Sequence, residues 1–249
     1  MNGVYIGSYG RGTADSGIRD IETAFVLPAD LCEKHLGQRE GGPSALLQRV
    51  KKSIQNIYAT SESFDYGHKI IISFREGISF RVLPVFETAK DSSWTHPNES
   101  GGGSWESCNP KVEIKAFNAR DKTTNGNLRH LCCMMHVWRD THKIPMSDLV
   151  IDTLAYRFIA DFPHRTESFW FHDCMVRDFL LYLSEQAGNK SKWRVPGSGF
   201  AISRAGWFEE RAYAAYELSL EAIKCNGANQ NSLSRRKWRE IFGPLYPLS

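Results

Sequence analysis

The chain has 249 residues, of which 41% are hydrophobic, 24% charged and 12% aromatic, with 20 Gly and 10 Pro. That is enough for one large domain or two closely packed lobes with a real core, and it excludes a disordered chain, a collagen-like array and low-complexity sequence. Net charge is +3, split as −2 over residues 1–109 (11 basic against 13 acidic) and +5 over residues 110–249 (20 against 15), a surplus that suits an anionic ligand such as a nucleotide and gives no strong nucleic-acid signal.

In chain order, Val4-Tyr5-Ile6 ends a strand that runs into Gly7. The alternating run Asp20 to Leu27, bounded by Gly17 and Pro28, predicts a second strand. Ser44 to Tyr58 places Leu46, Leu47, Val50, Ile54 and Ile57 on one helical face, with Ser44 as the expected N-cap. Lys69 to Phe74 and Ile78 to Phe86 predict a hairpin closed by Arg75-Glu76-Gly77. The stretch 87–109 holds Gly101-Gly102-Gly103-Ser104-Trp105, which reads equally as a close backbone approach or as a surface loop.

After Asn109-Pro110 the pattern turns helical. Leu128, Leu131, Met135 and Trp138 form one stripe, with Asn127 as a candidate cap; Leu149 to Ile159 form another, and Met175, Phe179, Leu180 and Leu183 a third. Ala205 to Ile223 and Arg235 to Phe242 predict two closing helices, and Ser191 to Gly206 a loop or short turn. The expected organisation is a mixed α/β lobe over 1–109 and a helical lobe over 110–249. The apolar runs Ile70-Ile71-Ile72 and Phe25-Val26-Leu27 are too short to span a bilayer, so no membrane segment is expected. Residues 1–20 lack a signal-peptide pattern, which predicts a cytoplasmic protein. The six cysteines, at 32, 108, 132, 133, 174 and 225, have no zinc-knuckle spacing and are expected as reduced thiols.

The chemistry concentrates in Gly7-Ser8-Tyr9-Gly10-Arg11-Gly12-Thr13 and Asp20-Ile21-Glu22. A strand meeting a small-residue turn offers backbone N–H groups and the Ser8 hydroxyl to phosphate oxygens. Asp20 and Glu22, two apart on a strand, project from one face and repel unless a cation lies between them. A hard divalent ion such as Mg²⁺ suits that pair, and two ions would serve an in-line displacement.

A Gly-Ser turn followed by acid-hydrophobic-acid resembles the polymerase-β-type nucleotidyltransferases. The remainder is similar to the bacterial CD-NTases, the cyclic GMP-AMP synthase-like enzymes that make cyclic di- and trinucleotide messengers in anti-phage signalling. The likeness continues through Ile78-Ser79-Phe80-Arg81-Val82-Leu83-Pro84, Gly103-Ser104-Trp105 with Asn109-Pro110-Lys111, and Asn125-Gly126-Asn127-Leu128. It runs on through Ile151-Asp152-Thr153-Leu154-Ala155-Tyr156, Pro196-Gly197-Ser198-Gly199 and Lys237-Trp238-Arg239-Glu240-Ile241-Phe242-Gly243.

The resemblance implies an α+β fold: a polymerase-β-like sheet lobe packed on a helical C-terminal lobe, which forms the other wall of a nucleotide cleft. It implies nucleoside triphosphates as substrates, Mg²⁺ or Mn²⁺ as cofactor, and a downstream effector that reads the messenger. Gly7 and Ser8 would meet the donor triphosphate, Asp20 and Glu22 would be catalytic metal ligands, and Arg11, Lys122 and Arg129 would supply positive charge to the phosphates.

The sequence also departs from the family pattern. Glu22 replaces the usual second Asp, and Arg81 stands where a third acid is expected. Glu87 shares the parity of Arg81 but lies about 20 Å along an extended strand at about 3.3 Å per residue. Cys133 and His136 occupy helical positions where the pattern has basic residues, and only six residues precede Gly7, so the long N-terminal brace helix of relatives is not expected. Three readings follow: an active synthetase with an altered metal site, a catalytically weak or inactive homologue that binds nucleotide or a partner protein, or a minimal nucleotidyltransferase acting on a protein, RNA or small molecule. The helical lobe argues against the third.

Overall fold

The structure is a computed structural model and describes residues 3–14, 20–37, 41–58, 62–66 (as backbone), 69–74, 77–88, 93–99, 103–186, 188–244 and 246–248. Gly17, Arg75, Glu76, Gly101 and Gly102, on which several expectations fall, lie outside the described residues. The chain divides into two compact units: Met1–Arg11 with Ser16–Ile114, and Gly12–Asp15 with Lys115–Ser249.

The first unit contains β1 (Gly3–Tyr5), α1 (Gly7–Arg11), β2 (Asp20–Val26), α2 (Ala29–Leu36), α3 (Gly42–Ile57), β3 (Glu62–Tyr66), β4 (Lys69–Ser73), β5 (Ser79–Glu87), β6 (Trp94–Asn98) and β7 (Ser104–Cys108), and most of the first turn of α4 (Pro110–Thr123). Among the described residues the strands form one sheet in the order β1-β2-β5-β4-β3, with β6 paired to the end of β5 and β7 to β6. β2 and β5 run parallel, a pairing that needs a long connection, and α2, α3, β3 and β4 all lie within it. The predicted hairpin of β4 and β5 forms, with Phe74 N–H donating to the Ile78 carbonyl.

Strand alternation positions the site. Ala24 of β2 and Leu83 and Val85 of β5 are buried in one cluster with Ile6 and Trp94. Two and four residues before Ala24, on the same face of β2, stand Glu22 and Asp20. One face of the sheet therefore passes from packed apolar side chains to charged ones along a single strand.

The second unit holds α5 (Asn127–His142), α6 (Asp148–Asp161), α7 (His172–Ser184), β8 (Lys192–Arg194), β9 (Ala201–Ser203), α8 (Glu209–Gly227) and α9 (Asn231–Phe242). The predicted stripes converge: Leu128, Leu131, Met135, Trp138, Leu154, Phe179, Leu180 and Leu183 all lie in one core. Each such aliphatic or aromatic side chain stabilises the fold by about 1.5–3 kcal/mol relative to exposure.

Several local expectations are corrected. The α3 N-cap is Gly41 at φ 75°, not Ser44, because Pro43 sits in the first turn, where its missing N–H costs nothing. Gly126, not Asn127, caps α5; the Asn127 amide instead donates to the carbonyls of Arg165 and Glu167. Ser191 to Gly206 is a β8–β9 hairpin around Pro196-Gly197-Ser198-Gly199 rather than a loop. Residues 94–98 and 104–108 pair antiparallel as β6 and β7, and α8 begins at Glu209 rather than near Ala205.

Candidate functional site

The site is built on three adjacent strands of the first unit. The β2–β5 register sets Glu22 opposite Arg81 and Asp20 opposite Ser79, and the β4–β5 register sets Ile71 opposite Arg81. Lys69, two residues before Ile71, points to the same face. The charged groups meet there. Lys69 Nζ lies 2.7 Å from Glu22 Oε1, and Arg81 Nη2 donates to Asp20 Oδ2 at 2.8 Å. Among the described residues these two carboxylates and two cations balance one another in formal charge. The Lys69–Glu22 pair is the more sheltered, with side chains 19% and 25% exposed, against 40% and 49% for Arg81 and Asp20.

The glycine-serine turn lies against these acids. Ile6 N–H donates to the Glu22 carbonyl at 2.8 Å, which ties the end of β1 to β2. Gly7 follows at φ 64°, and a Cβ there would stand 2.6 Å from Glu22 Oε2. Glycine is needed twice over: for the left-handed backbone, and to let the carboxylate approach the main chain. Ser8 is the second residue of α1, and Arg11, at its end, is buried.

Whether this donor set suits a pair of divalent ions is decided by its third member. Arg81, the register partner of Glu22, stands where the family resemblance leads one to expect a third carboxylate, and a guanidinium cannot ligate a cation. Glu87 does not replace it: it lies at the far end of β5, where Lys111 donates to its carboxylate at 2.9 Å and holds its pKa below the ordinary value. Among the described residues no group of three or more His, Cys, Asp or Glu side chains is placed to hold a metal ion. The described residues do not fit a two-metal centre.

The remaining expected site residues lie in the second unit. Lys122 is exposed on α4. Arg129 of α5 is held by Asp121 at 2.9 Å and donates to Asn118 Oδ1 at 2.6 Å, and its Nε lies 2.7 Å from where a Cβ on Gly12 would be. Cys133 Sγ lies 3.4 Å from the Thr13 carbonyl. His136 Nε2 is 2.9 Å from Asp152 Oδ1, in an ion-pair contact whose alignment falls short of a hydrogen bond, and Thr13 Oγ1 donates to Asp152 Oδ2 at 2.7 Å. Thr13, His136 and Asp152 are all buried. Burial alone would lower the His136 pKa, but the charge of the Asp152 carboxylate outweighs it and raises the pKa.

Sequence reasoning missed Lys69 and the Thr13–Asp152–His136 cluster. Lys69 carried a usable signal, since it has the parity of Ile71 on a strand paired with the one bearing Arg81. The buried cluster carried none, because its members lie far apart in the chain.

Residues 1–121 match the family model of the Second Messenger Oligonucleotide or Dinucleotide Synthetase domain. Among curated proteins none matches the sequence. The fold is similar to the Escherichia coli MS115-1 CdnC solved with ATP, at TM-score 0.70 and 14% identity over 98% of this chain and 84% of that one. The same CdnC in complex with HORMA-deltaN gives TM-score 0.69 and 15% identity, covering 98% and 83%. Vibrio cholerae DncV in its 3′-deoxy ATP bound form gives TM-score 0.76 and 16% identity, covering 98% of this chain and 68% of that one.

Proposed function

We propose, from the match of residues 1–121 to the model of the Second Messenger Oligonucleotide or Dinucleotide Synthetase domain and from the fold shared with CdnC and DncV, that the chain is a bacterial CD-NTase of the polymerase-β-type superfamily, a nucleotidyltransferase of anti-phage signalling with an impaired metal site. Its substrates are nucleoside triphosphates and its product is a cyclic di- or trinucleotide read by a downstream effector. The observation that carries this reading is the side-by-side placement of Asp20 and Glu22 on β2, with Gly7 packed against the Glu22 carboxylate. In this reading the backbone at Gly7 and Ser8 meets the polyphosphate, and the strand face presents two carboxylates to the reacting groups. Solved relatives carrying ATP and 3′-deoxy ATP support nucleotide as the ligand. Among the described residues no helix is long and apolar enough to cross a membrane.

A second reading, a homologue that binds nucleotide with little or no transfer, is favoured by one observation: both carboxylates are already ion-paired, one of them to an arginine in the third acid's place. One experiment separates the two. The protein is incubated with the four nucleoside triphosphates and Mg²⁺ or Mn²⁺, and pyrophosphate and phosphatase-resistant products are measured. Wild-type product that disappears in Asp20→Ala establishes the transferase. Product from Arg81→Asp or Arg81→Glu alone establishes the weak homologue. Wild-type product unchanged by Asp20→Ala refutes the assignment of the strand.

A further inference from the structure

We infer that Lys69 and Arg81 are resident counter-cations of the carboxylate face, and that a nucleoside polyphosphate binds this face without taking up divalent ions. The inference rests on the nucleotide-binding reading above and names the groups that set its ion requirement. Both pairings are fixed by backbone register rather than by chance meeting of surface side chains. Arg81 is the Cα partner of Glu22 across β2–β5 and of Ile71 across β4–β5, so its guanidinium emerges between the strand of the acids and the strand of Lys69. From there its Nη2 reaches Asp20 at 2.8 Å, while Lys69 Nζ reaches Glu22 at 2.7 Å. Asp20 and Glu22 therefore each have their own cation at contact distance.

The consequences for ions and for phosphate have opposite signs. A divalent ion entering between Asp20 and Glu22 must break both ion pairs, and it then sits beside two displaced positive charges with only two carboxylates to hold it. A face of three acids repels a triphosphate until divalent ions neutralise it. Here the charges of Asp20 and Glu22 are already offset by Arg81 and Lys69, so these two acids do not repel the triphosphate in that way. It also meets two donors suited to phosphate oxygens: an ammonium on a flexible stem and a guanidinium able to make paired hydrogen bonds. The Arg81 Nε is buried and has no acceptor among the described residues, so the guanidinium has donor capacity beyond its bond to Asp20.

Two measurements on the full chain test this. In the first, Mn²⁺ binding is followed by electron paramagnetic resonance of the free ion. Wild type is expected to bind Mn²⁺ no more tightly than Asp20→Ala, within about twofold, whereas Arg81→Asp binds at least about tenfold more tightly, because affinity follows the count of ligand charges. Lys69→Met serves as a second variant should Arg81→Asp fold poorly, which circular dichroism reports, and it too is expected to gain affinity. Wild-type binding that is lost in Asp20→Ala overturns the inference, as does the absence of any gain in a folded Arg81→Asp. In the second, the dissociation constant of ATP or GTP is measured in EDTA and in Mg²⁺. Values within about threefold support the inference, and tightening by more than about tenfold in Mg²⁺ overturns it. Absence of nucleotide binding in both buffers refutes the nucleotide-binding reading instead, and the Mn²⁺ measurement then decides the ion question alone.

Discussion

Replacing Asp152 tests the electrostatic account of the second unit. Its carboxylate is fully buried, lies 2.9 Å from His136 Nε2 and accepts from Thr13 Oγ1 at 2.7 Å. Asp152→Ala takes the counter-charge from the buried His136 ring when that ring is protonated, and the acceptor from a buried hydroxyl. Removing one partner of a buried ion pair costs about 3–5 kcal/mol, and the hydroxyl left behind accounts for about 1–3 kcal/mol within that figure. A loss near 4 kcal/mol is a large share of the ~5–15 kcal/mol that holds a typical domain folded. Asp152→Asn keeps the shape and the acceptor for Thr13, and should lose about half as much.

The pH dependence supplies the sharper signature. Burial opposes charge on His136, but Asp152 prevails and raises the pKa above the ordinary 6.5, with Asp148 assisting and Arg139 opposing. A base whose pKa is higher in the folded state adds stability in full below its unfolded pKa, and loses it as pH climbs through the folded value. The stability gap between wild type and Asp152→Ala should therefore be widest below the ordinary value of 6.5 and narrow as pH climbs through the raised, folded value. Urea unfolding followed by helical ellipticity, which the second unit dominates, measures both quantities. A gap below about 1 kcal/mol, or one that widens with rising pH, refutes the paired, charged assignment.

Two further outcomes follow from local geometry. Gly7→Ala puts a Cβ 2.6 Å from Glu22 Oε2 at φ 64°, whereas Gly41→Ala has a similar φ of 75° with nothing within 4 Å. Both variants pay a left-handed penalty of about 1–2 kcal/mol, but only Gly7→Ala should also weaken nucleotide binding; equal affinity in the two variants would remove Gly7 from the site. The Cys108 thiol is pushed up to about 12, mainly by burial and secondarily by the Glu113 charge. In the native protein it should resist iodoacetamide near about pH 8, where the thiolate is the reactive form, and mass spectrometry showing it alkylated as fast as in the unfolded chain would contradict that.

What the sequence disclosed, and what it hid, divides along the range of the forces involved. The period-2 run of β2 and the 3.6-residue stripes of α5 and α7 were legible because burial on one face writes itself into neighbouring residues. The β6–β7 hairpin was not, since Pro97 lies inside one strand and Ser104, Glu106 and Ser107 leave the other without an apolar alternation. Asn127 looked like a cap, because the type is common there. Its amide is instead committed to carbonyls about forty residues away, a demand that no local pattern can express.

The site follows the same division, and the part that stayed hidden changes the chemistry. Arg81 could be found in the sequence as a cation in an acid's place, but alone it would only suggest a damaged metal site. Its meaning depends on Lys69, which joins the face only once β4 is registered against β5. A face that had merely lost an acid would hold one carboxylate beside an arginine and leave the other unmatched. Here each carboxylate has a separate cation within 2.8 Å, drawn from a different strand. Two such pairings on three neighbouring strands make the face electrostatically self-consistent as it stands, and a metal would have to undo that balance before it could replace it.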